Sequence, residues 1–299
     1  MQEKLEFLIA LAQEQHFGRA AQVCGVSQPN LSLAIKQLES HFGVPLVDRG
    51  SRFVGFTPEG QRVLEWARRI VGDTRAMHAD IETMKQGLTG HLRLAVVPTS
   101  LPIISKITAA FWRQHAGVKL TISSHTSTEV LSRLDNLEAD AGLTYLDNEP
   151  VGRVLEIPLY RERYHLVTPA DGPVGDRQSV TWEEVAGLPL CLLTPDMQNR
   201  RIIDHIFKEV GLNVDPILES NSLVALATHL KSGLWSTILP KIVTEPLSFP
   251  SNLRTIPIVA PEMSTLIGLV VSVRDPQPPL TAALMAEARA VASQLAEQA

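Results

Sequence analysis

The chain has 299 residues, 44% of them hydrophobic and 20% charged, with 27 basic against 32 acidic side chains and a formal net charge of −5. That length predicts two or more domains, and the composition is that of a soluble globular protein. No apolar run approaches a membrane span, and the two cysteines, Cys24 and Cys191, offer neither a disulfide framework nor metal-ligand spacing.

Met1-Gln2-Glu3-Lys4 leads directly into an amphipathic helix over about 2–15, with Leu5, Leu8, Ile9 and Ala12 facing inward. No export signal is expected there, and the expected compartment is a reducing cytoplasm with no membrane partner. From Phe17 to Phe42 two helical pieces flank a break at Gly25-Val26-Ser27. Ala20, Ala21 and Val23 or Cys24 let a second helix cross closely, Gly25 suits a left-handed turn, and Ser27 suits an N-cap. Pro29 falls just inside the second helix, where its missing N–H costs nothing. Leu31, Ile35, Leu38 and Phe42 recur at steps of four, three and four and predict one buried face. The other side carries Gln28, Asn30, Ser32, Lys36 and Gln37, amides, a hydroxyl and a cation with little negative charge. That suits base edges and phosphates in a major groove and predicts a helix-turn-helix, with Ser27 and Pro29 at the entry of its recognition helix. Two short helices joined by a glycine turn also occur in proteins that never touch DNA. A strand–turn–strand at about 47–57 strengthens the DNA reading, because such a wing lies along the backbone, where Arg49 and Arg52 would meet phosphates.

Residues 1–90 hold ten basic and ten acidic side chains, so the acidic excess lies wholly beyond them. Without a basic footprint, DNA binding rests on the motif, and a modest salt dependence per protomer is expected. Thr57-Pro58 can cap a helix running to about Gln86. Val63, Ala67, Ile70, Thr74, Met77, Ile81, Met84 and Leu88 alternate steps of four and three, a heptad stripe that asks for a partner helix. Paired recognition helices would then read an interrupted palindrome with half-sites about one DNA turn apart.

Beyond Gly87-Leu88-Thr89-Gly90 strands and helices alternate. Strands are predicted at 91–97, 118–123, 139–145, 154–159, 165–168, 190–193, 217–219, 236–239, 255–259 and 266–273. Helices are predicted from about 101 and 127, and at 182–186, 197–210, 222–232 and 280–296. Thr126-Ser127-Thr128-Glu129 reads as a capping box. This alternation predicts a parallel sheet covered by helices on both faces. The Pro/Gly-rich stretch Pro169–Gly175 fits a crossing between two subdomains, with a return near Leu266–Val273.

The run Ala20-Ala21, Val26-Ser27-Gln28-Pro29, Leu31-Ser32, Ile35, Leu38-Glu39, Phe42-Gly43, Leu46, Arg49 and Thr57-Pro58-Glu59-Gly60 resembles the N-terminal signature of the LysR-type transcriptional regulators. It departs from that signature at His16-Phe17, Val47 and Phe56, which are apolar or local changes. The resemblance implies an N-terminal all-α winged helix-turn-helix (1–58), a long linker helix (59–88) and an α/β effector domain (91–299). The last is two-lobed, like a periplasmic binding protein, with lobe I at about 91–165 and 266–299 and lobe II at about 166–265. It also implies double-stranded promoter DNA as partner, an antiparallel or crossed linker-helix dimer and a homotetramer. Activation of neighbouring genes would bring in RNA polymerase.

In open α/β sheets ligands sit beyond strand carboxyl ends against helix N-termini, where free N–H groups favour a small anion such as a carboxylate or oxyanion. Hydroxyl- and amide-rich ends occur at Thr99-Ser100, Thr126-Ser127-Thr128, Asn221-Ser222 and Thr194–Asn199. Any one of these Ser or Thr residues would serve as an ordinary helix cap. Facing lobes, carried over from the family, make Thr99, Ser100, Ser127 and Thr194 effector-binding candidates, with Thr144, Asn199 and Ser222 behind them. Trp235, after Gly233-Leu234, either narrows the cleft or packs behind it.

Other functions fit less well. Neither a Gly-x-Ser-x-Gly elbow, a His-Glu-x-x-His pair nor a glycine-rich phosphate loop is present, so no catalytic or metal site and no cofactor is expected. A solute-binding protein would have no use for residues 1–90. A DNA binder without a ligand would not need two hundred further residues for pairing. His16-Phe17-Gly18-Arg19-Ala20-Ala21 resembles the peroxide-sensing branch, but Cys191 sits among Leu190, Leu192 and Leu193, where apolar surroundings disfavour a reactive thiolate.

Overall fold

The computed structural model describes residues 1–49, 53–147, 149–247 and 249–297. The chain forms two compact units. The first is Met1–Gly87 with the short segments Asp135–Glu138 and Arg274–Pro279; the second is the remainder.

In the first unit, helices α1 (Gln2–Glu14), α2 (Phe17–Val23) and α3 (Gln28–Phe42) pack around Leu5, Leu8, Leu11, Ala20, Ala21, Leu31, Ile35 and Leu38, all buried. His16 does the work usually given to Ser or Thr, its Nδ1 accepting from the amides of Gly18 (3.0 Å) and Arg19 (3.3 Å) to start α2. Gly25 turns the chain at φ +66°, and the Ser27 hydroxyl accepts from the Asn30 amide at 3.4 Å to open α3. Of the alternatives after Ala21, Cys24 is partly buried and Val23 is exposed. Ala34 rather than Phe42 completes the buried face of α3. Phe42 lies in the last turn, 43% exposed, its ring edge-to-face with His41.

Strands β1 (Val47–Arg49) and β2 (Phe53–Phe56) pair antiparallel as the wing. Glu39 ties α3 to it by accepting from the amides of Leu46 (3.0 Å) and Val47 (3.3 Å). Helix α4 (Pro58–Gln86) begins at Thr57, whose Oγ1 accepts from the Gly60 amide at 2.9 Å and donates to the Pro45 carbonyl at 2.7 Å. A Cβ on Gly60 would stand 1.8 Å from the Leu46 carbonyl oxygen, so only glycine permits this approach.

The heptad stripe of α4 divides. Ala67 is buried with Leu64 and Val71 against the rest of the unit, whereas Ile70 (45% exposed), Met77 (56%), Ile81 (47%) and Met84 (83%) have no cover within the chain's described residues.

In the second unit β3 (Gly90–Val96), β4 (Val118–Ser124) and β5 (Ala141–Tyr145) are parallel, in the order β4-β3-β5. Between them run α5 (Leu101–Gln114) and α6 (Ser127–Asp135). The expected wholly parallel sheet is instead mixed. The long strand β6 (Val154–Pro169) and β12 (Ser264–Ser272) are antiparallel, and β12 lies between β5 and β6. The two strands expected at 154–159 and 165–168 are one, because Arg161-Glu162-Arg163 keeps the out-in-out alternation of a strand despite its charges.

This strand also corrects the crossing point. Residues 154–163 of β6 pair with β12, and residues 164–169 pair with β10 (Thr237–Pro240) and β11 (Leu253–Val259). The chain therefore passes between lobes inside β6 and not in the Pro169–Gly175 loop. The second lobe adds β7 (Val180–Thr181), α7 (Trp182–Ala186), β8 (Cys191–Leu193), α8 (Gln198–Glu209), β9 (Leu218–Ser220), α9 (Leu223–Leu230) and α10 (Lys241–Leu247). Neither β7 nor α10 stands out in the sequence. Its core centres on Trp182, edge-to-face with Phe207 and Tyr164. α11 (Pro279–Glu297) returns to the first lobe, where Leu284, Met285 and Ala288 meet Leu92, Leu94 and Ile104.

Candidate functional site

Two regions carry chemistry, and each is built within one unit. In the first unit the outward side of α3 presents Gln28, Pro29, Asn30, Lys36 and Gln37, all exposed, with Ser32 half-buried. Ser27 is exposed too, but its hydroxyl is already engaged as the cap. Leu33, absent from the candidates read in the sequence, is exposed in the middle of this surface. An apolar side chain there can meet a thymine methyl, while the amides can pair with adenine edges. The only sequence signal for Leu33 is an apolar residue off the buried stripe. Arg49 lies in β1 by its backbone, and Arg52 falls outside the described residues.

The second region is the cleft between the lobes of the second unit. A narrow cavity of about 10 Å³, room for roughly one water, lies between Val97–Thr99, His125–Ser127 and Tyr145 of the first lobe and Leu193 and Met197–Asn199 of the second. Strand ends deliver these residues: β3 runs into Thr99, β5 ends on Tyr145, and β8 leads to the N-terminus of α8. Of the effector candidates, Thr99, Ser127 and Asn199 line this cavity. Ser100, Thr144 and Thr194 do not reach its wall; Ser222 caps α9 through the Ala225 amide at 3.3 Å, the ordinary role of such a residue. Trp235 packs with the second-lobe core beside His229 and away from the cavity.

What distinguishes the region is unspent hydrogen-bonding capacity. Among the described residues, the buried Thr144 Oγ1, Thr194 Oγ1, Asn199 Nδ2 and both amide atoms of Gln198 have no partner. Ser100 Oγ has none of normal geometry, although it faces the Tyr160 hydroxyl. Such groups are costly in a protein interior unless a ligand or water meets them. Gln198 lies inside the amide-rich stretch 194–199, and only its burial singles it out.

Behind the cavity a carboxyl group is buried. Thr99 Oγ1 and the Tyr145 hydroxyl are 2.9 Å apart; Tyr145 donates to Glu162 Oε2 at 3.3 Å and Tyr160 to Glu162 Oε1 at 3.2 Å. Glu162 is 1% exposed. Burial pushes its pKa up to about 7, against the opposing pull of hydrogen bonds from Tyr160, Thr99 and Tyr145. Burial and the neighbouring Glu162 also hold Tyr145 and Tyr160 well above the usual tyrosine range.

At the cleft edge Arg201 of α8 reaches across to the first lobe. Its Nε and Nη2 donate to Glu149 Oε1 at 2.9 and 2.7 Å, and Nη2 also meets Glu149 Oε2 at 3.1 Å and Ser127 Oγ at 3.2 Å. Ser127 Oγ in turn donates to Glu149 Oε2 at 3.3 Å. Nη1 is held from its own lobe by the carbonyl of Asp196 at 2.6 Å. Neither Arg201 nor Glu149 carries a distinguishing motif in the sequence.

Cys191 is fully buried, and burial raises its thiol to about 11. Among the described residues there is no group of three His, Cys, Asp or Glu side chains placed to hold a metal, and no helix is long and apolar enough to cross a membrane.

Comparison with known proteins matches both regions. Residues 2–61 fit the model of bacterial regulatory helix-turn-helix proteins of the lysR family, and residues 85–293 fit the LysR substrate binding domain. The hydrogen peroxide-inducible genes activator of Escherichia coli O6:H1 is 29% identical over 267 residues, covering 89% of this chain and 87% of that protein. A full-length OxyR point variant from Pseudomonas aeruginosa superimposes with a TM-score of 0.75 at 26% identity, over 98% of this chain and 99% of that one. CbnR in complex with its target DNA shares the fold, with a TM-score of 0.61 at 19% identity over 97% and 99% of the two chains.

Proposed function

We propose that this chain, which belongs to the LysR family of bacterial DNA-binding transcriptional regulators, answers to a small anion bound between the lobes of its effector domain. The observation that carries this is the set of buried, unpartnered polar atoms at the cleft, foremost the amides of Gln198 and Asn199 at the N-terminus of α8. A carboxylate or oxyanion would meet those donors and the positive end of the helix. Binding to one lobe arrangement would shift how paired recognition helices are spaced, and a coupling of about 1–3 kcal/mol suffices for such control.

The exposed stripe of α4 supports pairing of two chains through their linker helices, and two such pairs would give a homotetramer. The operator is then an interrupted palindrome read by Gln28, Asn30, Ser32, Leu33 and Gln37, with Lys36, Arg49 and Arg52 on phosphates. A cytoplasmic location, contact with RNA polymerase at activated promoters and the lack of catalytic activity follow the same family pattern.

A second reading comes from the Escherichia coli relative, whose name ties it to hydrogen peroxide. The thiol chemistry such a response would call on is opposed by the burial and raised pKa of Cys191.

Thermal denaturation against a panel of small carboxylates and oxyanions tests the proposal. A ligand at a hundred times its Kd stabilises the native state by about 2.7 kcal/mol. Such a gain is expected in the native protein and not in a variant carrying Gln198→Ala and Asn199→Ala. A panel without effect, or a gain that survives both substitutions, contradicts it.

A further inference from the structure

The cleft lining contains no lysine or arginine among its described residues, yet a cation stands at its mouth. Arg201 is 36% exposed and its partner Glu149 39%, so both can exchange partners with solvent ions. The guanidinium is fixed by its own lobe through the Asp196 carbonyl, while Glu149 comes from the irregular segment between β5 and β6 of the other lobe. Among the described residues the Glu149 carboxylate has no partners other than Arg201 and Ser127. It therefore occupies a two-point site, a fork of N–H donors and a buried hydroxyl, of the kind that recognises a free carboxylate or oxyanion.

The geometry points to Glu149 as a built-in competitor for the effector: the regulatory anion enters by taking Arg201 and Ser127 from Glu149, which releases the bond between the lobes. This rests on the cleft being the effector site and assigns the residue that holds the ligand's charge and the residue it displaces. The cavity is too small to admit more than about a water molecule. Opening the Arg201–Glu149 pair is thus part of ligand entry, and a neutral molecule lacks the means to drive it. Because Glu149 is tethered, it competes at a high effective concentration. Removing its charge should tighten anion binding about tenfold.

The test uses the full-length protein and inorganic sulfate at constant ionic strength, with half-saturation read from the shift in denaturation temperature. Glu149→Gln is expected to lower the half-saturating sulfate concentration about tenfold relative to native, with Glu149→Ala behaving alike. Adding Arg201→Gln should abolish the gain. Equal sulfate affinity in native protein and Glu149→Gln overturns the inference, as does a gain that survives Arg201→Gln. A gain that needs Arg201 but ignores Gln198→Ala with Asn199→Ala would uphold the exchange and remove the deeper cleft from the effector site. Loss of the exchange alone, with the Gln198 and Asn199 dependence of the anion panel intact, would remove Glu149's role and leave the cleft reading standing.

Discussion

Glu162 shows how one side chain fixes a pH dependence. Its carboxyl is raised from an ordinary 4.5 to about 7, so the folded protein holds this proton more tightly than the unfolded chain. The stability this permits is complete below about pH 4.5 and is lost as pH rises through about 7, at up to 1.4 kcal/mol for each unit of displacement. Glu162→Gln keeps the site neutral. Its denaturation temperature should gain on native protein between about pH 5 and pH 8; an unchanged difference would remove the buried carboxyl from the account. Gly60 is decided by space alone. Gly60→Ala forces a Cβ against the Leu46 carbonyl, and a loss of about 1–3 kcal/mol or more is expected in chemical denaturation. Cys191, buried with a raised pKa, should resist alkylation in the native state, and peroxide should leave the DNA affinity of Cys191→Ser and native protein equal.

At the scale of elements, α3 and α4 divide their surfaces between self and partner. Ile81 and Met77 on α4 are apolar and exposed beyond Gly72, the last buried position of the helix. Ile81→Glu should convert the assembly to smaller species in sedimentation while preserving helix content; an unchanged sedimentation coefficient would place the pairing surface elsewhere. On α3, Lys36→Ala should weaken all DNA alike and lower the salt slope by about one. These helices were legible because their signals are local. Ser27 and Thr57 cap, Pro29 and Pro58 start, Gly25 and Gly43 turn, and the apolar positions keep a helical period. Phe42 and the first turns of the α4 stripe misled because period alone does not say which partner covers a face. Strand β6 misled for another reason: its inward position at Glu162 is charged, and only the tyrosines around it explain why that is tolerated. The cleft was readable as a set of polar strand ends. Which of them line it was not, since Ser100 directly follows Thr99 in one helical turn and Thr144 directly precedes Tyr145 in one strand, and which neighbour faces the cavity is set by how those elements pack. Glu149 and Arg201 meet across 52 residues of chain, and nothing local in the sequence pairs them.

For the whole molecule, the arrangement is an acidic effector domain attached to a neutral DNA-reading end, so its operator preference rests on shape and base contacts more than on bulk charge. If an effector at the cleft alters operator affinity, thermodynamic reciprocity requires the operator to alter the effector's affinity by the same factor. The DNA end of that linkage depends on α3 reading a duplex. Footprinting of the full-length protein on the DNA upstream of its own gene measures this directly. The native protein is expected to protect two half-sites about 10 base pairs apart, or a multiple of that spacing. Gln28→Ala should lose that protection at equal concentration. An unprotected fragment, or a footprint that Gln28→Ala leaves intact, would contradict the account.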